Sequence, residues 1–240
     1  MAPGSQREGD GRCGAHHVQP GARAHQRDQP HVGQGLQLST ASTRQRLLDV
    51  GLELLLEHGY HGLGIQPVLE AAHAPKGSFY HHFRDKEDFA LQVIDQYMRG
   101  VHEGLDQCLR DPSRPPLERV RGFFELTRQK YKSEGYLGCL LGGLGQELAG
   151  TSEVFRRKID ECLSEIAGRI AQTLEEARQQ GELPAESEPR RLATLLIDCW
   201  EGAALRSRLR GSPSPLAAML DFFVASAAKR EPGKLGSDSY

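Results

Sequence analysis

The residues of this chain best placed to do chemistry fall in one short run, Pro75-Lys76-Gly77-Ser78-Phe79-Tyr80-His81-His82-Phe83. On a helix, Phe79 and Phe83 stand four positions apart and share a face, so both read as core. Lys76, Ser78, Tyr80 and His81 are left on the polar side. Lysine and hydroxyl groups suit phosphate oxygens, while tyrosine and histidine can touch base edges or sugar. Gly77 permits close backbone approach, and the free N–H groups of a helix start add further phosphate donors. Lys86 can clamp a flanking phosphate, and Arg44, at the start of an earlier helix, can reach the backbone. Such side chains suit a DNA groove.

A second string, Tyr136 to Ala149, is glycine-rich, apolar and carries a thiol, Cys139. A helix beginning near Gly138 puts that thiol at a helix N-terminus, which lowers its pKa and favours thiolate. The alternative, a structural cysteine buried at a small-residue helix crossing, stays open. The chain has five cysteines and no CxxC pair, so neither a zinc site nor a disulfide framework is expected. Cys108, Cys162 and Cys199 read as core or surface thiols. No HExxH, P-loop, GxGxxG or GxSxG occurs, so an enzyme is not expected, and no cofactor or metal is called for.

The elements that must position these residues are helices throughout. Thr43–His58 carries an apolar stripe of Leu47, Val50 and Leu54, widened by Leu48, Leu52 and Leu55. Ser42 or Thr43 caps its start and Gly59 ends it. A second helix fits Ile65–Ala72, and a turn at His73-Ala74 leads to Pro75, expected at the first position of the third. A fourth runs from Asp85 or Lys86 to Leu109. Helical periodicity resumes at 117–133, 139–149, 152–180, 189–210 and from Pro213 or Pro215 to Ala228. The reading is all-α, about nine helices, in four parts: a disordered tail at 1–40, a three-helix helix-turn-helix DNA-binding domain at 41–88, a helical ligand-binding and dimerisation domain at 89–229, and a flexible tail at 230–240. Residues 1–38 lack hydrophobic periodicity, and His16, His17, His25 and His31 are too loosely spaced to suggest a metal.

Net charge is −2, so overall charge does not announce a nucleic-acid partner and local placement must supply it. Residues 43–90 hold more acidic than basic side chains. There is no long apolar run and no signal-like start, so no membrane contact is expected and the cytoplasm is the expected compartment.

The turn and third helix resemble those of the TetR family of repressors, which usually read AGVSKGSFYHHF followed by KEEL. Here the stretch is Ala72-His73-Ala74-Pro75-Lys76-Gly77-Ser78-Phe79-Tyr80-His81-His82-Phe83, then Lys86-Glu87-Asp88-Phe89. The resemblance assigns DNA contact to Lys76, Gly77, Ser78, Tyr80, His81 and Lys86. Two departures stand out. His73 replaces the usual turn glycine, where a positive φ costs a side chain on the order of 1 kcal/mol. Leu63-Gly64 replaces the usual Ser/Thr cap, which leaves Gln66 to take over a phosphate contact.

The resemblance further implies a homodimer built on the last two helices, a palindromic operator and a small-molecule effector. The Cys139 string is similar to that of a subgroup responding to electrophiles, quinones or acrylate-like compounds, with the cysteine as sensor. Phe123, Phe124, Tyr131, Tyr136, Phe155 and Trp200 are candidate cavity residues, with Gln146, Glu147 and Asp198 as polar orienting groups. Effector binding would swing the fourth helix, separate the recognition helices and release DNA. The competing reading is a helical protein-interaction domain whose helix-turn-helix is vestigial.

Overall fold

The computed structural model describes residues 42–135 and 137–228; the two tails and Tyr136 lie outside the described residues. Among the described residues there are nine helices and no strand. No helix among them is long and apolar enough to cross a membrane.

Helix α1 (Thr43–Gly62) starts where the Ser42 hydroxyl accepts the Gln45 N–H at 3.2 Å. It buries Leu47, Leu48, Leu55 and Leu56. Gly59, at φ 71°, breaks the helical geometry, and one further turn follows. The helix therefore stops being regular where the sequence says it should, and a kinked turn extends it to Gly62. Gly51 is the close-contact point with α4 (Lys86–Leu109): a Cβ there would lie 2.4 Å from Cζ of Phe89.

Helices α2 (Ile65–Ala71) and α3 (Ser78–His82) complete the first three-helix unit. Val68, Leu69 and Phe79 turn inward. The rings of Phe79, Phe83 and Phe89 form a cluster with centroids 4.8–5.2 Å apart, tilted toward the edge-to-face geometry that aromatic quadrupoles favour. Pro75 is not the first residue of α3. It opens a preceding turn whose carbonyl accepts both the N–H and the hydroxyl of Ser78, at 2.9 and 2.7 Å. Proline has no N–H, so it can begin either a turn or a helix, and here the helix starts three residues later. His73 sits at φ 49°, the one non-glycine residue at positive φ among those described.

The remaining helices are α5 (Pro116–Ser133), α6 (Leu140–Leu148), α7 (Glu153–Gln179), α8 (Pro189–Arg210) and α9 (Ser214–Ala227). Asp85 caps α4 by accepting the Asp88 N–H at 2.8 Å, and Asp88 reaches back to the Arg84 N–H at 2.9 Å, a variant of the capping box. Gly211, at φ 56°, ends α8 in the left-handed region. Helix α4 lies against α1, α5 and α7; α7 lies against α5, α6 and α8; α9 covers α8 and α5. The buried guanidinium of Arg119 ties three helices together, donating to the Leu109 carbonyl at 2.7 Å and to Glu176.

Candidate DNA-reading helix and effector cavity

The outer side of α3 is polar because its inner side is spent on the phenylalanine cluster. Phe79 is fully buried, while the next residue, Tyr80, is 65% exposed. Lys76, Gly77 and His81 are exposed, and Ser78 is half-buried with its hydroxyl on the Pro75 carbonyl. Gln66 is exposed on α2 and donates to Glu70 at 2.7 Å. Arg44 is exposed on α1, donates to Gln92, and lies 5.9 Å from the Phe83 ring centre. Lys86 differs from the sequence expectation in its surroundings. Its ammonium stands 4.5 Å over the Tyr60 ring, and burial lowers its pKa while Glu147 partly offsets that.

The kinked end of α1 is held from α6. Glu147 accepts the backbone N–H groups of Tyr60 at 2.7 Å and His61 at 2.6 Å, and its Oε1 is 2.5 Å from Nδ1 of the His61 ring. A Cβ on Gly59 would lie 2.5 Å from its Oε2. Burial opposes ionisation of Glu147, but the His61 and Tyr60 contacts more than offset it and hold its carboxyl below the ordinary value. Sequence reading offered Glu147 as a group that orients ligand. It instead satisfies amides freed where the helical ladder breaks.

Inside the larger helical unit lies a cavity of about 260 Å³, enclosed by α4, α5, α7, α8 and the start of α6. Phe123, Phe124, Tyr131, Cys139 and Trp200, all named from sequence, line it. Trp200 stacks at 4.7 Å from Phe124 and 6.2 Å from Tyr131. Two larger grooves, 650 Å³ between α7 and α8 and 890 Å³ along α5, carry no aromatic side chain. Aromatic walls with a few converging polar groups mark the smaller cavity as the ligand candidate.

Several expected members are elsewhere. Gln146 is exposed and borders a small adjoining groove with Gly142 and Arg208, which shares Cys139 and Glu201 with the cavity; Asp198 is exposed. Phe155 is buried against Tyr60, rings 5.1 Å apart, outside the cavity. Tyr136 lies outside the described residues.

Cys139 also departs from the reactive-thiolate expectation. It is the cap residue before α6, its sulfur 3.6 Å from the Tyr97 hydroxyl. Burial and the neighbouring Glu201 carboxylate push its pKa up to about 12, against a smaller opposite pull from the Gly142 N–H. The helix-terminus effect is present, but desolvation outweighs it. Burial likewise raises Glu201 to about 7, despite its hydrogen bond with Cys139. Sequence reading missed Tyr97 and Glu201, which complete this polar wall. Glu201 follows the buried Trp200 on α8, a weak signal that could have pointed inward.

Helices α8 and α9 divide their apolar residues between two faces. Leu196, Ala203, Leu216, Leu220 and Phe223 are buried within the protomer. Leu195, Leu205, Leu209 and Phe222 remain exposed, Phe222 by 74%.

Residues 47–93 match the sequence model described as bacterial regulatory proteins of the tetR family. Residues 116–223 match the tetracyclin repressor-like C-terminal domain. The transcriptional regulator AcuR of Cereibacter sphaeroides is 42% identical over 173 residues, 72% of this chain and 79% of AcuR. This chain belongs to the TetR family.

As a TetR-family member it is a ligand-responsive, DNA-binding transcriptional regulator. The interaction domain with a vestigial helix-turn-helix is not favoured. The transcriptional repressor NemR of Escherichia coli is 31% identical over 175 residues, 72% of this chain and 88% of NemR. A crystal structure of a TetR regulatory protein from Rhodobacter sphaeroides superposes with a TM-score of 0.75 at 39% identity, covering 78% of this chain and all of that one. The reduced form of E. coli NemR gives 0.72 at 30% identity, covering 80% and 99%. The N-terminal match spans most of α1, all of α2 and α3 and the start of α4, and the 260 Å³ cavity lies among residues of the C-terminal match and α4.

Proposed function

We propose that this chain is a homodimeric repressor that reads a palindromic operator and leaves it when a small hydrophobic or electrophilic molecule occupies the cavity beside Cys139. Residues 41–88 act as the DNA-reading head and 89–229 as the sensing and dimerising part. Lys76, Gly77, Ser78, Tyr80 and His81 are the groove contacts, with Arg44, Gln66 and Lys86 on flanking phosphates. The observation that carries the effector half is the aromatic cavity itself: apolar walls of Phe123, Phe124 and Trp200, and one polar wall that includes a thiol. The exposed row of Leu195, Leu205, Leu209 and Phe222 supports a second copy as partner, since a two-fold pair reads two half-sites.

The test is footprinting on DNA upstream of the chain's own gene, with and without a panel of electrophiles and hydrophobic ligands, using the wild type and Cys139→Ser. Protection of a symmetric site, lost on effector addition, is the expected result. Cys139→Ser is expected to keep the footprint and lose the response to electrophiles. A footprint that no effector removes would discard the sensing role, and an intact electrophile response in Cys139→Ser would discard Cys139 as its seat.

A further inference from the structure

The polar wall of the cavity holds an acid that makes no ion pair. Among the described residues no ion pair reaches Glu201, which is half-buried and lines both this cavity and the adjoining groove. Room for its carboxyl is made by a missing side chain. A Cβ on Gly142 would lie 2.1 Å from Glu201 Oε2 and 3.8 Å from the Cβ of Cys139. The carboxyl and the Cys139 side chain flank Gly142 and line the same cavity, and the Cys139 sulfur also meets the Tyr97 hydroxyl. The charged and titratable neighbours are Tyr97 and Glu103 from α4, Lys130 and Tyr131 from α5, and Cys139 before α6. Helix α7 contributes only Leu163 and Ile166 to this cavity, and Arg208 borders the adjoining groove on Glu201's own helix.

We propose that the Glu201 carboxyl is a proton relay that lets Cys139 add to a small, uncharged α,β-unsaturated carbonyl compound in the cavity. This rests on the cavity being the effector site. As the sulfur forms its bond to the β-carbon, the π pair of the C=C bond moves toward the carbonyl. The thiol proton passes to one oxygen of the Glu201 carboxyl, and the proton on its other oxygen passes to the carbonyl oxygen of the effector. The enol so formed rearranges to the saturated carbonyl. Sulfur and hydrogen have added across the double bond, Glu201 ends as protonated as it began, and no oxidant or reductant is consumed.

No free thiolate is needed, which answers how a thiol pushed up to about 12 can react at all. Glu201, near 7, holds the required proton at and below neutral pH. The cavity volume of 260 Å³ falls below the roughly 300–1,000 Å³ of sites for drug-sized ligands, so the effector is small. Glu103 and Glu201 against the single cation Lys130 give no lining that favours an anion.

The experiment follows adduct formation on the full chain with 2-cyclohexen-1-one from pH 5.5 to 9, by mass spectrometry of the Cys139 peptide, with free N-acetylcysteine as control. An ordinary thiol reacts faster as pH rises, because its thiolate is the nucleophile. Wild-type Cys139 is expected to do the opposite, with a rate that is flat below about pH 7 and falls above it, following loss of the Glu201 proton. Glu201→Gln is expected to slow the reaction at pH 6 at least tenfold and to abolish the fall. Gly142→Ala, which displaces the carboxyl without altering it, is expected to give the same loss.

A Glu201 that acts only through its charge opposes thiolate formation only where it is ionised, so Glu201→Gln would then be unchanged at pH 6 and faster above about pH 7, and either result overturns the relay. A wild-type rate that climbs with pH like the control also overturns it, while leaving Cys139 as the sensing thiol. If cyclohexenone releases the protein from DNA with Cys139 unmodified, the relay fails and the cavity stands as a non-covalent effector site.

Discussion

Removing the Glu147 carboxylate is expected to cost more than its exposed ion pair suggests. The ion pair with His61 has a histidine side chain 67% exposed and a glutamate 24% exposed, and such pairs contribute about 0–1 kcal/mol. The two backbone amides, at 2.7 and 2.6 Å, are different. They belong to Tyr60 and His61, just past the Gly59 break, where α1 no longer supplies its own acceptors. A hydrogen bond to a charged group is worth about 1.5–3 kcal/mol. Water can replace part of this at a half-buried site. Glu147→Ala is therefore expected to lose about 2–3 kcal/mol of unfolding free energy. Tm should fall by about 4–12 °C at fixed protein concentration.

Urea unfolding of the wild type, Glu147→Ala, His61→Ala and the double variant closes a mutant cycle. Most of the Glu147 loss is expected to persist in the His61→Ala background, because the backbone amides remain. A Glu147→Ala loss below about 0.5 kcal/mol, or one that vanishes without the His61 ring, refutes the reasoning. The pH dependence gives an independent check. Because the folded-state carboxyl is held below its ordinary value, the contribution is full at neutral pH. It is lost as pH falls below about 4, so wild type and Glu147→Ala converge there.

Three further outcomes follow from the same geometry. Tyr80→Ala and Lys76→Ala are expected to leave Tm unchanged. Tyr80→Ala should weaken operator binding by about 1–3 kcal/mol, and Lys76→Ala should flatten the salt dependence by about one unit of slope; unchanged affinity in both would remove α3 from the groove. Gly51→Ala is expected to destabilise by about 1–3 kcal/mol in chemical unfolding, since the added Cβ meets the buried Phe89 ring at 2.4 Å and Val93 Cγ2 at 3.0 Å; a neutral effect would mean that α1 and α4 can separate freely. His73→Gly relieves the φ of 49° and is expected to raise stability by about 1 kcal/mol or less, read as a Tm gain of a few degrees; a drop in Tm would show that the His73 side chain does more than tolerate the turn.

What the sequence determined by itself was whatever depends on neighbours along the chain. The helix periods, a cap at Ser42 or Thr43, the Gly59 break, the strained His73 turn and the inward Phe79 and Phe83 beside an outward Tyr80 are all set within a few residues, so spacing and residue type suffice. Phe123, Phe124, Tyr131 and Trp200 were also legible as cavity residues, because large aromatics on apolar helix faces point to an interior. Tertiary structure alone decided which of those faces enclose space, and which polar residues turn toward it. Gln146 and Glu147 are adjacent on one short helix, yet one faces solvent and the other caps α1 from 86 and 87 residues away. The state of Cys139 was decided the same way. Its position before α6 argues for a reactive thiolate, but Glu201, Tyr97 and the loss of water around it reach the sulfur from α8 and α4. Charge and burial act through space, at distances that sequence separation does not record.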